Sequence, residues 1–238
     1  MIPARFAAQR FPGKPLAMLW GKPMLRHVWE RASRVAGLDE LVIATDDDRI
    51  ATAARTWGAT VELTSPDCTS GTDRVAEVAR RRESVELALN LQGDEPELDA
   101  DAVSRLVAGM HADVSIQMAT LAHVEEHPEV FGSADVVKVV LDDVSDAVYF
   151  SRADIASGSR GGPALRHVGV YGFRRALLLA FAGWSPGSLE LAERLEQLRA
   201  LQRGVKIRVF TGTRPFSGID TPEQMAALER RGPRPDAQ

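Results

Sequence analysis

One cysteine, Cys68, occurs in 238 residues, so no intramolecular disulfide can form and nothing ties the chain to an oxidising compartment. Long apolar runs are equally scarce. Stretches such as residues 176–182 fall far short of the roughly 20 residues that a membrane-spanning helix needs, and no secretory signal opens the chain, which points to the cytoplasm and against membrane insertion. Positive charge is not in excess either: 29 basic residues face 33 acidic ones, for a net charge of −4. That balance gives no cationic face for a polyanion, and no aromatic stacking platform stands out, so nucleic acid is not the expected partner. His27, His111, His123 and His127 show no metal-ligand spacing, and no Ser/His/Asp or Cys/His order suggests a nucleophilic triad. Cys68, in a loop, reads most simply as a bystander. Lysine is rare, with Lys14, Lys22, Lys138 and Lys206 against 25 arginines. In a chain so biased toward arginine, each lysine invites a specific reason.

What is present is the composition of a packed domain. Apolar residues make up 45% and charged residues 26%, and the length suits one large α/β domain or two small ones. In the first half, short β-rich runs at residues 41–44, 60–63 and 87–91 alternate with helical patterns, the signature of a parallel sheet covered by helices. Met24, Leu25, Val28, Trp29, Ala32 and Ala36 share one helical face that Gly37 is placed to end. Asp46, Asp47 and Asp48 follow the strand at 41–44 and read as helix caps. The second half changes character, with strands expected at 115–120, 136–141, 147–150, 168–173 and 205–210. Helices are expected at 174–182 and 188–202, and a short one opened by Pro222. A Gly/Ser/Arg-rich loop covers 156–162, and residues 232–238 read as a frayed tail. No repeat or linker divides residues 1–231, which read as a single domain in two halves, one to about 120 and one to about 215, with a returning segment at 216–231.

Three constellations could carry chemistry. The first is the loop PARFAAQRFPGKP at residues 3–15, which places Arg5, Arg10 and Lys14 between the expected first strand and first helix, where such sheets bind phosphates. Arginines hold phosphate oxygens in pairs and a lysine acts as a point charge. The plain alternative is a solvated basic loop, and the Walker spacing is absent. The second is Asp94 at the end of a buried strand, with Asp220 in the turn GIDTP as its best companion. Two carboxylates plus phosphate oxygens suit Mg²⁺, although each acid alone could equally cap a turn or helix. The third is Tyr149-Phe150-Ser151-Arg152, His167 and Tyr171, and Glu196 and Gln197. His167, Gly169 and Tyr171 are two apart and share a face of an extended strand, and an arginine nearby would suit an acidic, hydroxylated substrate.

Taken together, PAR (3–5), RFPGKPL (10–16), GKPM (21–24), ATDD (44–47), SGTDR (70–74), NLQGDEP (90–96), VKVV (137–140), YFSR (149–152), HVGVY (167–171), LEQLR (195–199) and GIDTP (218–222) resemble, in that order, the 3-deoxy-manno-octulosonate cytidylyltransferases, or CMP-Kdo synthetases. The resemblance covers nearly the whole chain; YFSR, LEQLR and NLQGDEP are its more specific parts. It implies a Rossmann-like nucleotidyltransferase fold, a mostly parallel sheet flanked by helices, with a small extension supporting a homodimer. The implied reaction joins CTP and Kdo into CMP-Kdo and pyrophosphate for lipopolysaccharide assembly. Arg5, Arg10 and Lys14 would then hold the triphosphate, and Ser70, Gly71, Arg74 and Gln92 the cytosine and nearby groups. Asp94 and Asp220 would bind Mg²⁺, with Arg10, Lys14, Asp94 and Asp220 as the catalytic set. Arg152, His167, Tyr171, Glu196 and Gln197 would line the sugar-acid site. Residues 153–165 lack the Ile-Pro-rich stretch usual beside that site, which leaves 8-amino-Kdo or another acidic sugar such as sialic acid as the alternative substrate. The front edge leaves little room for a first strand before Arg5. Residues 1–4 are expected to form a clipped strand, or the chain to start late, with a phosphate loop less firmly anchored than in relatives.

Overall fold

Short strands and capped helices alternate from the first residues of a computed structural model that describes residues 1–7, 11–125, 131–155, 165–212 and 218–234. In chain order the elements begin with β1 (Ile2–Ala4), a 3₁₀ turn (Lys14–Leu16), β2 (Met18–Leu19), β3 (Lys22–Pro23), α1 (Met24–Ala32), β4 (Val42–Thr45) and α2 (Asp48–Thr56). They continue with β5 (Thr60–Leu63), α3 (Gly71–Arg81), β6 (Leu87–Asn90), α4 (Ala100–Ala112), β7 (Met118–Val124), β8 (Lys138–Leu141) and β9 (Ala147–Ser151). The last are β10 (Leu165–Arg174), α5 (Arg175–Ala182), α6 (Ser188–Glu193), α7 (Leu198–Gln202), β11 (Ile207–Thr211) and α8 (Pro222–Arg231). The chain sorts into two compact units: Met1–Glu83, Asn90–Ala100 and Phe216–Gln238 in the first, Ser84–Leu89 and Asp101–Pro215 in the second. Residues 101–120, expected with the first half, group with the second unit, whereas the returning segment at 216 groups with the first.

In the first unit, β1, β4 and β5 form a wholly parallel sheet in that order, with Ile2 opposite Ile43 and Ile43 opposite Val61. The central strand β4 is buried along its whole length, as a strand covered on both faces must be. The Leu91 N–H donates to the Met1 carbonyl at 3.0 Å, which brings the segment carrying Asp94 alongside β1. The helices start where short polar side chains can satisfy free amides. Asp47 caps α2 by accepting from Arg49 N, Ser70 and Asp73 close a reciprocal capping box on α3, and Thr221 and Gln224 do the same on α8 with Pro222 in its first turn. Helix α1 ends at Ala32 rather than running on to Gly37: the Ser33 hydroxyl bonds back to Glu30 O at 2.8 Å, and Gly37 (φ 82°) lies in the turn beyond.

The second unit is built on a six-stranded sheet in the order β11-β7-β10-β8-β9, with β6 also paired to β10. β11 runs parallel to β7, while β10 is antiparallel to β7 and β8. β7 starts three residues later than the expected 115, because Asp113 draws in the Ser115 amide (2.9 Å) and hydroxyl (2.6 Å) as a local turn. The helix expected over 188–202 is two short helices. Arg194 takes a left-handed conformation (φ 56°), and the break lets the Arg199 guanidinium close a two-bond pair on Glu190 at 2.6 and 2.7 Å.

One close approach in the first unit sets the position of Asp94. A Cβ on Gly93 would lie 2.8 Å from the Pro3 carbonyl oxygen and 3.5 Å from Ile2 and Leu25 side-chain carbons, so only glycine lets the two segments meet. Gly93→Ala is expected to lower unfolding free energy by about 1–3 kcal/mol, the usual range for overpacking, as read by urea denaturation. A wild-type midpoint would show that the contact is not tight.

Candidate functional site

The end of β1 and the loop after it begin the site. Gly13 holds φ 73°, its amide donates to Phe6 O at 2.9 Å, and it opens the 3₁₀ turn that carries Lys14. The Arg49 guanidinium lies 3.4 Å from the Phe6 ring centre. Those contacts fix the described ends of the loop. Arg10 itself lies outside the described residues.

Lys14 is the centre of the arrangement. Its ammonium donates to Asp94 Oδ2 at 2.5 Å and to the Ile219 carbonyl at 2.7 Å, and stands 3.6 Å from Asp220 Oδ1. The backbone reinforces the same junction, since the Ile219 amide donates to Asp94 O at 2.9 Å. A Cβ on Gly218 would come within 3.3 Å of Asp94 Oδ1. Ile219 is buried with Leu19 and Met24 in a cluster that Trp20, Met225 and Leu228 pack against. The predicted metal acids are therefore brought together, on a common cation.

Around this junction opens a cleft of about 210 Å³ lined by Arg5, Lys14, Ser70, Gly71, Arg74, Gln92, Asp94 and Asp220, together with Pro3, Ala4, Pro15, Cys68 and Gly93. Every described residue predicted for the triphosphate, the base or the metal lines it. Gly71 is needed for closeness here too, as a Cβ on it would touch Pro3 Cγ at 3.1 Å. Arg74 is 3% exposed; its guanidinium bonds the Thr64 hydroxyl and pairs with Asp46 at 3.2 Å. Of the three aspartates expected as caps, Asp47 is one, whereas Asp46 is the counter-charge that keeps Arg74 at the cleft wall.

Sequence reasoning read Cys68 as a bystander and passed over Glu77. Glu77 accepts from the Ser65 amide at 2.9 Å and from the Cys68 thiol at 3.2 Å, which stitches the loop before α3 to the helix. Burial, with the Glu77 carboxylate second, pushes the Cys68 thiol up to about 11. A glutamate two turns into a helix carries no motif, so only the fold could bring it to the loop.

The predicted sugar residues all lie in the second unit. The bulge in β10 between Val168 and Tyr171 interrupts strict alternation, yet the His167 and Tyr171 rings still meet, 5.5 Å apart. His167 Nε2 is 3.0 Å from the Thr120 hydroxyl, and desolvation lowers its pKa to about 3, so the ring is neutral at physiological pH. Arg152 donates through its guanidinium to Ala134 O at 3.1 Å. Gln197 is 4% exposed and its Nε2 has no partner among the described residues. Glu196 adjoins it between α6 and α7. Two unpredicted residues organise this region. Glu193 accepts from the Ser151 hydroxyl (2.8 Å), the Arg152 amide (3.1 Å) and the Tyr149 hydroxyl (3.4 Å). Lys138, fully buried, donates to Ser133 O and Arg152 O, both at 2.7 Å. Its pKa is lowered by desolvation.

Known proteins resemble this chain over nearly its whole length. The sequence profile of the family described as Cytidylyltransferase matches residues 1–207. A 3-deoxy-manno-octulosonate cytidylyltransferase of Anaeromyxobacter sp. (strain Fw109-5) is 52% identical over 98% of this chain and 97% of its own length. The chain belongs to the 3-deoxy-manno-octulosonate cytidylyltransferase family. Another member, from Solibacter usitatus (strain Ellin6076), is 45% identical over 97% of this chain and 92% of its own. Among solved structures, a CMP:2-keto-3-deoxy-manno-octonic acid synthetase complexed with CTP superimposes with a TM-score of 0.91 at 39% identity, covering 97% of this chain and 95% of that one. The fold is thus the nucleotidyltransferase fold of that family.

The acidic neighbour of Cys68 has a measurable consequence. Glu77→Gln removes one of the two main causes of the raised thiol pKa and leaves burial in place, so the value is expected to fall below 11 while staying above the ordinary 9.0. Because the thiolate is the reactive form, modification by an aromatic disulfide reagent should set in at lower pH than in wild type. An unchanged profile would remove Glu77 from this role.

Proposed function

We propose that this chain transfers a cytidylyl group from CTP to the anomeric hydroxyl of 3-deoxy-D-manno-octulosonate, giving CMP-Kdo and pyrophosphate for lipopolysaccharide assembly. The observation that carries the reading is the convergence of Arg5, Lys14, Arg74, Gln92, Asp94 and Asp220 on one cleft, in a chain of this family.

The chemistry follows from charge and position. The sugar hydroxyl oxygen attacks the α-phosphorus of CTP; the new O–P bond forms as the bond to the β-phosphate oxygen breaks. Negative charge grows on the departing pyrophosphate, and the hydroxyl proton passes to solvent. Arg5 and Lys14 supply fixed positive charge for the triphosphate, and Ser70, Gly71, Arg74 and Gln92 receive the nucleoside. Arg10, from the same loop sequence, joins the phosphate group of residues. No side chain in the cleft stands out as a general base, so positioning and electrostatics account for the rate.

Asp94 and Asp220 suit Mg²⁺. Both carboxylates reach the same ammonium, so their site already accommodates a cation, and no group of three or more His, Cys, Asp or Glu with metal-ligating potential occurs among the described residues. Two protein carboxylates leave positions for phosphate oxygens and water, the usual Mg²⁺ arrangement. Bound there, the ion would neutralise phosphate charge and polarise the reacting oxygens. Arg152, His167, Tyr171, Glu196 and Gln197 are assigned to the sugar acid, with the arginine toward its carboxylate. The neutral His167 can donate or accept a hydrogen bond to a sugar hydroxyl without adding charge.

Among the described residues no helix is long and apolar enough to cross a membrane. We place the reaction in the cytoplasm. A second copy of the chain is the proposed partner, favoured by exposed Val148 on edge strand β9 and by exposed Leu189 and Leu191 on α6.

Pyrophosphate release with CTP, Mg²⁺ and a panel of Kdo, 8-amino-Kdo and N-acetylneuraminate tests the substrate. Kdo is expected to give the highest kcat/KM; a preference for neuraminate would overturn the assignment. Asp94→Ala and Asp220→Ala are each expected to lower kcat/KM at least a hundredfold, about 3 kcal/mol of transition-state stabilisation, with circular dichroism unchanged. Near-normal turnover in both would remove the metal assignment.

A further inference from the structure

Lys14 occupies the place that both candidate metal ligands face. Its ammonium is 2.5 Å from Asp94 Oδ2 and 3.6 Å from Asp220 Oδ1, and is steadied by Ile219 O at 2.7 Å. It is only 13% exposed, against 26% for Asp94 and 47% for Asp220. This lysine offsets one of the two carboxylate charges. The same ammonium is the point charge assigned to the triphosphate, and a divalent ion held by the same two carboxylates would be pressed against a like charge within a few ångströms.

We infer that Lys14 is a resident counter-cation which metal binding displaces toward the triphosphate, so that metal and nucleotide bind cooperatively through this one side chain. The inference rests on the assignment of Asp94 and Asp220 as metal ligands. A metal ion alone must break a short ion pair and leave the ammonium without an anion. A nucleotide alone must draw the ammonium away and leave two carboxylates facing its phosphates. When both bind, the ion takes the carboxylates, the ammonium takes the phosphates, and neither penalty remains. Such coupling is reciprocal: each ligand raises the affinity of the other by the same factor. A lysine suits the task, since its charge sits on a flexible stem with three rotatable donors and can change partners without losing hydrogen-bond geometry.

The probe for the metal is Mn²⁺, followed by electron paramagnetic resonance in nucleotide-free protein. Lys14→Met is expected to bind Mn²⁺ about tenfold more tightly than wild type, because a competing unit charge has gone, and Lys14→Met/Asp94→Asn is expected to lose that gain. The reciprocal arm titrates CTP in EDTA by calorimetry. Asp94→Asn releases Lys14 and is expected to bind metal-free CTP severalfold more tightly than wild type. Lys14→Met/Asp94→Asn is expected to bind it no better than Lys14→Met, a non-additivity that separates release of the ammonium from simple loss of a negative charge. Unchanged Mn²⁺ affinity in a folded Lys14→Met protein overturns the inference while leaving the metal ligands standing. A gain in metal-free CTP affinity that persists without Lys14 overturns it as well. If Lys14→Met does not fold, Lys14→Gln replaces it, and failure of Asp94→Asn to tighten metal-free CTP binding decides against the inference. Mn²⁺ binding unaffected by Asp94→Asn/Asp220→Asn overturns the metal assignment itself, and the inference with it.

Discussion

A single ammonium joins parts of the chain that lie 80 and 205 residues apart. Lys14 reaches Asp94 across the first separation and Ile219 across the second, and these are the chain segments that the cleft requires: the loop after β1, the turn after β6, and the segment that returns from the second unit. At partial burial such an ion pair is stronger than at the surface, but it also carries a desolvation cost that only good geometry offsets. The surrounding contacts supply that geometry. The Ile219 amide bonds Asp94 O, Ile219 fills the Leu19–Met24 cluster, and the absence of side chains at Gly93 and Gly218 makes room for the Pro3 carbonyl and the Asp94 carboxylate. Closing the tertiary structure of the first unit and assembling the charged site are therefore one event, and a change at either end is felt at the other.

The motifs that mark the family divide into residues that present chemistry and residues that hold them. PAR, GKP, SGTDR, QGD and GID send side chains into the cleft. YFSR is different in kind. Its tyrosine, serine and arginine amide all converge on the Glu193 carboxylate. The lysine of VKVV donates to the carbonyl of the Arg152 that ends YFSR, and the arginine of LEQLR is paired to Glu190 and lies 4.8 Å from the Phe181 ring centre. VKVV and YFSR thus form one polar framework on Glu193, and LEQLR pairs with Glu190 of the same helix. Leaving any member without its partner would bury an unsatisfied group, which costs more than the bond itself contributes.

Legibility in the sequence followed the range of the interactions. The strands of the parallel sheet, the cap at Asp47 and the proline-opened last helix are local, and short-range pattern predicts them. The cleft residues other than Cys68 were legible because each lies in a motif. What could not be read locally were choices made by partners far along the chain. Arg199 needs Glu190, so the expected helix over 188–202 breaks at Arg194. Asp46 lies among three aspartates suited to capping, but a buried Arg74 28 residues later draws it away. Glu77 and Glu193 lie in helices whose pattern shows only a polar face. Cys68 passed for a bystander because nothing in its neighbours told which way the loop would fold.

The rarity of lysine also acquires a physical meaning. Where the fold needs a cation that stays in place, as at Glu190 or Asp46, it uses the planar fork of an arginine, which loses least entropy when locked to carboxylate or carbonyl oxygens. The two buried or nearly buried lysines serve other needs. Lys138 is buried and satisfies two backbone carbonyls with a compact ammonium. Lys14 stands where an anion has to be held and then exchanged. A fork fixed bidentately to Asp94 would resist release, whereas an ammonium keeps its attraction as the angle between its partners changes. An arginine at position 14 would preserve the charge of the site and forfeit its mobility, so the identity of this residue is set by the exchange of partners rather than by charge alone.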